Sequence, residues 1–444
     1  MVDATAAAAH LDPVEAAHLD PVEAARLDPV EASPIAIRPQ PLGAFPLPLG
    51  YLLIPAGPDT EPARTALLAG RLPADWPPAL RAHQLVAAGQ RDAAIEALTV
   101  SPADSPDPVA LYNRFVLAPD TVDADELRGL LGEFAALVDV IQFVIGRTDT
   151  PPPTDGADGE LAVAVLSTQA GHALARNEPE RAITLLNQAI SLAGSVSPAL
   201  TGLLRGAVAA VYRDQGDDSC VAHLTEALAD LDAADGLRVE RAELHLYLAG
   251  ALHEQADDRP ELLTAAVPHY HSALQLIKRE DAPTIWAAAH SGLATAYLTM
   301  PMTEASGQLR LGVAAQSLRA ALTVYTRDTH LREWASVQLN LANSLVYTPS
   351  KHQRDNLVEA VEIYESVLQT RDRATDPLGR ARVLANQGNV LAHLGMFDDA
   401  KAKLYEARFL FEELGDDDSV RTVRGILDEI ARQGVLSSTE TGSS

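Results

Sequence analysis

The side chains best placed for recognition chemistry are four asparagines. Asn340 and Asn343 stand three residues apart in NLAN, and Asn386 and Asn389 repeat that spacing in NQGN. Residues three apart on a helix share a face, so each pair would present two amides side by side. An amide offers an acceptor oxygen and two N–H donors. That chemistry grips the backbone of an extended peptide and does not make or break bonds. Arg382 and Tyr347 lie four residues from the two pairs and would add a cation and an aromatic edge. Two readings are open for the amides: they hold a segment of another chain, or they only tie neighbouring helices together.

Bond-making chemistry finds no support. The chain has no Walker loop, no GxGxxG and no GxSxG. The nearest approach to a zinc-protease motif, His253-Glu254-Gln255-Ala256-Asp257, lacks the second histidine and reads as an exposed polar helix end. His269 and His271 are two apart and would diverge on a helix, whereas His245 and His253 could share a face. No clear His-x3-His pair occurs, so no metal site is expected. The single cysteine, Cys220, excludes an internal disulfide and reads as a small buried hydrophobe. No cofactor and no enzymatic activity are expected.

Composition narrows the partners. Against 34 Lys plus Arg stand 61 Asp plus Glu in 444 residues, a formal charge of −27. An acidic chain is a poor partner for nucleic acid or anionic membrane. It favours a protein partner, and the negative surface predicts a partner segment with basic character. No apolar run reaches the roughly 18–20 residues of a membrane span, and nothing reads as a secretory signal, so a cytoplasmic protein is expected. Hydrophobic residues make up 47% but aromatics only 5%. Ala, Leu and Val therefore dominate, which suits close-packed helices.

These side chains need elements to position them. Residues 1–62 form a low-complexity, proline-rich tail. It opens with three copies of an octapeptide over Ala9–Ala32 (AHLDPVEA, AHLDPVEA, ARLDPVEA). Each Asp-Pro could start a helix, but the next proline follows too soon for one to build. A disordered stretch is expected, or a short docking motif that orders on a partner. The apolar stretch that follows, including Leu52, Leu53 and Ile54, would lie extended on the folded body or insert into a partner. Residues 63–147 read as helical, with a hairpin over Ala79–Val100, a helix over Pro108–Leu117, and another over Asp123–Gly146 interrupted at Gly132. Residues 148–159 (TDTPPPTDGADG, after Arg147) read as a linker.

From 160 to 415 one pattern recurs about six times. A helix with a small central residue is followed by a second helix reading small-x3-large-x2-small. The central residues are Ala170, Ala209, Ala249, Ala294, Ala342 and Gly388, spaced 39, 40, 45, 48 and 46 apart. The second helices give Ala182-Leu186-Ala189, Cys220-Leu224-Ala227, Ala266-Tyr270-Ala273, Ala314-Leu318-Ala321, Ala360-Tyr364-Val367 and Ala400-Leu404-Ala407. Positions i, i+4 and i+7 fall on one helical face. One such hairpin cannot bury that face alone, so copies must stack. Residues 416–434 would cap the stack and 435–444 would form a disordered tail.

The pattern resembles the tetratricopeptide repeat (TPR) family, although these repeats exceed the family's unit of about 34 residues. The paired asparagines resemble the asparagine ladder of the kinesin light chain branch, whose repeats are also long. The resemblance implies an all-α, right-handed solenoid, and a non-enzymatic scaffold that binds an extended segment in its concave groove. Partner-binding residues would be Asn340, Asn343, Asn386, Asn389, Arg382 and Tyr347. The ladder stops upstream, where Ser291, Gly292 and Thr295 replace it. A full terminal-carboxylate clamp of the chaperone-binding type is not expected, because Leu339 stands where its lysine would be. Alternatives are an assembly or maturation factor for a larger enzyme complex and a peptide-sensing regulator; self-association is a further possibility.

Overall fold

The computed structural model describes residues 52–99, 107–194, 197–256, 259–301, 307–347 and 351–441. The octapeptide repeats lie outside them. No strand occurs among the described residues. The chain divides into two compact units, 28–251 and 252–444.

The first unit starts from an extended segment. Leu52, Leu53 and Ile54 are at most 5% exposed and alternate in direction. Leu53 enters one apolar cluster with Tyr112, Phe115 and Leu137. Leu52 and Ile54 enter another with Leu67, Leu80 and Leu85. Burying each such side chain is worth about 1.5–3 kcal/mol, which explains why so proline-rich a stretch lies on the body. Short helices follow: α1 (Glu61–Leu68), α2 (Arg81–Ala87), α3 (Arg91–Thr99), α4 (Pro108–Leu117), α5 (Ala124–Leu131) and α6 (Ala135–Val144). Asp123 caps α5, its carboxylate accepting from the N–H groups of Asp125 at 2.9 Å and Glu126 at 3.0 Å. The expected interruption at Gly132 separates α5 from α6.

Two hairpins complete this unit, α7 (Gly159–Ala175) with α8 (Pro179–Ala193) and α9 (Pro198–Asp214) with α10 (Ser219–Asp230); most of α11 (Arg238–Glu254) also lies in it. Helix α7 is buried on every face from Leu161 to Thr168. Its Leu161 and Ala164 belong to the same apolar cluster as Tyr112 and Phe115 of α4. The first repeat's inner helix is thus covered by the N-terminal helices. The 148–159 stretch lies inside this unit and does not separate two compact bodies. A second tie is made at Gly70, whose φ of +70° only glycine adopts without strain. A Cβ there would lie 2.6 Å from that of Ala234. The carbonyl of Gly70 accepts the N–H of Gly236 at 2.9 Å.

The second unit contains α12 (Pro260–Leu276), α13 (Pro283–Thr299), α14 (Gly307–Ala321), α15 (Leu331–Tyr347), α16 (Gln353–Leu368), α17 (Pro377–His393), α18 (Phe397–Leu414) and α19 (Asp417–Thr441). Helices α13 and α14, α15 and α16, and α17 and α18 pack as antiparallel pairs, each pair against the next, and α19 packs on α18. The last helix runs to Thr441, past the 434 boundary set from sequence. In all six copies the central small residue and the small-large-small triad of the second helix are at most 4% exposed or, for Gly388, buried. Gly388 shows why the centre must be small. A Cβ there would sit 2.7 Å from Cγ of Leu404 and 3.2 Å from the carbonyl of Ala400. The fold is all-α, a TPR-like stack of helical hairpins.

Candidate functional site

Helices α13, α15 and α17 are the first helices of the three C-terminal hairpins, and α15 and α17 carry the predicted site residues. The helical spacing that buries Leu339, Ala342 and Leu345 of α15 leaves Asn340 and Asn343 half-buried on the neighbouring face. On α17, burial of Leu384, Gly388 and Leu391 likewise leaves Arg382, Asn386 and Asn389 half-buried. Tyr347, at the end of α15, is 43% exposed.

The two asparagine pairs are not equivalent. Asn340 donates from Nδ2 to Oγ1 of Thr295 on α13 at 3.3 Å. Asn343 accepts at Oδ1 from the phenol of Tyr364 on α16 at 2.5 Å. Each of these amides has spent one half on a neighbouring helix. Asn386 and Asn389 make no side-chain hydrogen bond among the described residues, so both halves of each amide are free. Arg382 forms no ion pair there either, whereas Arg380, two residues away and so on the opposite side of the helix, reaches Glu406 at 2.8 Å. Asp416 feels Arg382, but its carboxylate is committed to the start of α19. It accepts from the N–H of Ser419 at 3.0 Å and its hydroxyl at 2.7 Å. Those bonds, more than Arg382, hold the Asp416 carboxyl below the ordinary aspartate range.

The first helices of these three hairpins are nearly free of carboxylates, while the second helices range from none on α14 to five on α18. Helices α13 and α17 contain no Asp or Glu, and α15 contains only Glu333. Helix α16 carries Asp355, Glu359, Glu362 and Glu365, and α18 carries five more carboxylates. Several of these bridge hairpins on the second-helix side, as in Arg319–Glu359 at 3.0 Å and Lys403–Glu365 at 2.8 Å.

An amide grip on an extended backbone exists elsewhere in this chain. Asn113 of α4, 1% exposed, accepts the Leu53 N–H at 2.6 Å and donates to the Leu53 carbonyl at 2.7 Å. The ring of His83 donates from Nε2 to the same carbonyl at 2.9 Å. Burial holds His83 below the ordinary histidine range despite that bond. Sequence reasoning overlooked Asn113. Its one signal was a polar side chain among the core residues of an apolar helix, where a lone amide needs partners.

The remaining candidates are structural. Cys220 is 4% exposed, a core residue. His253 is buried at 6%, not at an exposed helix end. His271 meets the Tyr297 hydroxyl at 3.0 Å through Nε2, and the Trp286 ring stands edge-on to His290 with centroids 4.3 Å apart. Among the described residues no three His, Cys, Asp or Glu side chains are grouped to hold a metal ion. No helix of the described residues is long and apolar enough to cross a membrane.

No family model matches the chain, and no curated protein matches it in sequence. Among solved structures it is similar to the apo form of RapI, with 15% identity and a TM-score of 0.42, over 79% of this chain and 96% of that one. It is also similar to the P58(IPK) TPR domain, with 16% identity and a TM-score of 0.26, over 80% and 97%. Likenesses this loose add nothing to the fold. That the chain is a TPR-like array of helical hairpins rests on its own buried repeat pattern and helix pairing.

Proposed function

We propose that the protein is a non-enzymatic scaffold of the cytoplasm that holds an extended segment of a partner protein. The segment lies along the first helices of the C-terminal hairpins, at Asn340, Asn343, Tyr347, Arg382, Asn386 and Asn389. The observation that carries this reading is the pair of unspent amides on α17. A half-buried amide not committed to its own chain has its acceptor and donors available to a ligand backbone, and Asn113 shows the same side chain gripping one. Asn386 and Asn389 do the gripping, while Asn340 and Asn343 contribute their remaining oxygen and N–H groups from the preceding step. The affinity comes from main-chain bonds, and side-chain pockets set the choice of partner.

The test is affinity purification of the full chain from its native cell, with Asn386→Ala/Asn389→Ala as the comparison. Partner proteins are expected to be lost from the double variant while its helical content is kept. Equal recovery of every partner removes the groove from the function.

A further inference from the structure

Beside the grip on Leu53 lies a cavity of about 200 Å³. Its walls include Ala82 of α2, Ala97 of α3 and Ala110 of α4, with Pro55 of the extended segment. His83 and Asn113, which hold the Leu53 backbone, line it as well. His83 is 1% exposed, and its Nδ1 is buried with no hydrogen-bond partner among the described residues. Its Nε2 meets a carbonyl oxygen, which only accepts, so Nε2 carries the ring proton. Burial keeps the ring neutral, and Nδ1 is left as an acceptor without a donor. An apolar cavity of about 150 Å³ stays dry and takes benzene. This one is larger and has that acceptor in its lining. Arg81 and Asp107, both exposed, also line it. With one charge of each sign, they favour a ligand of no net charge.

We infer that the cavity is a binding site for a small uncharged organic molecule of about eight non-hydrogen atoms, an alcohol or an amide, whose hydrogen-bond donor meets Nδ1 of His83 while its apolar body packs on Ala82, Ala97 and Ala110. The site uses none of the residues of the asparagine face. Pro55, His83 and Asn113 belong both to the cavity and to the held segment. The site is therefore complete only while residues 52–55 are docked, and ligand and docked segment stabilise each other reciprocally. Anchorage of the N-terminal tail becomes a function of the concentration of a small molecule.

The experiment titrates the full chain with four probes of similar size: benzyl alcohol, toluene, benzoate and benzylamine. Ligand-detected NMR follows binding, and hydrogen exchange at the Leu53 amide is read in parallel. Benzyl alcohol is expected to bind, toluene at least about fivefold more weakly for want of the donor, and the two charged probes not at all. At ten times its Kd, benzyl alcohol should slow Leu53 exchange by about tenfold. In the wild type its ring protons should show contacts to the methyl groups of Ala82, Ala97 and Ala110. Ala110→Leu fills the cavity from α4 and Ala97→Leu from α3; a variant that keeps the unliganded protection of Leu53 should lose benzyl alcohol binding. No binding at millimolar concentration overturns the site, the cavity then holding water only. Equal binding of toluene overturns the role of His83. Binding without the alanine contacts, without an effect on Leu53, or unchanged in a filled variant places the probe elsewhere and overturns the proposal.

Discussion

Replacing Asn113 by alanine tests how much the extended N-terminal segment depends on one amide. The substitution removes both bonds to Leu53, 2.6 and 2.7 Å long, at a site 1% exposed. The Leu53 carbonyl keeps His83, but its N–H is left buried without an acceptor. An orphaned buried donor costs about 1–3 kcal/mol, and the small cavity adds about 1 kcal/mol. The expected loss is therefore about 2–4 kcal/mol. With two compact units, a single melting midpoint would not isolate it. Hydrogen exchange at the Leu53 amide does, because it reads local opening. At 1.4 kcal/mol per tenfold, exchange there should quicken by about 30- to 700-fold. Asn113→Asp should be at least as damaging, since its second oxygen would face the Leu53 carbonyl. Unchanged protection of Leu53 in Asn113→Ala refutes the reasoning: the aliphatic side chains alone would then be holding the segment.

Gly388→Ala places a methyl 2.7 Å from Leu404 and should cost about 1–3 kcal/mol; an unaltered urea midpoint for the C-terminal unit would contradict the close helix approach. Tyr364→Phe removes the bond to Asn343 and should cost about 1 kcal/mol. Because it frees the Asn343 oxygen, peptide binding should persist or strengthen, and its loss would count against the groove. His290 is lowered to about 4 from 6.5, by burial first and by His271 second. The unfolded chain therefore binds more protons between those values, so stability is complete above about 6.5 and is lost as pH falls towards 4. Exchange in residues 283–299 measured across that range should show the decline, and His290→Phe should flatten it; an identical decline in the variant assigns the effect to another group.

What could be read from the sequence is what one helix dictates to itself. Ala360, Tyr364 and Val367 lie on one face because of their spacing, and all are buried. The Asp123 cap needs only the two N–H groups that follow it. What could not be read depends on distant parts of the chain. The grip of Asn113 on Leu53 spans 60 residues. Nothing in NLAN reveals that Asn343 is shared with Tyr364 while the matching Asn389 is free, because Tyr364 belongs to the next helix and its counterpart in the following hairpin is Leu404. The cover over α7 was equally hidden, since 148–159 has the composition of a linker. The scarcity of acids on α13, α15 and α17 was present in the sequence but had no meaning until those helices were paired with their second helices.

The ties of α1 to the second hairpin bear on how the protein is made. Ser197 donates its hydroxyl to the carbonyl of Leu68 at 2.6 Å across 129 residues. A repeat array ordinarily folds by adding each copy to its neighbour, so it can consolidate as it leaves the ribosome. Here the first helix must wait for α9 and the turn after α10 before its own end is covered. At about 5–20 residues per second, that delay is of order 10 seconds, during which Ala63 and Leu67 already have their dock among Leu80, Leu85 and Ala94 but the Leu68 and Gly70 carbonyls at the end of α1 lack their partners. Synthesis therefore passes through an interval in which the N-terminal helices are packed on one another but not yet sealed at the end of α1, and slowing translation just upstream of residue 197 should lengthen it.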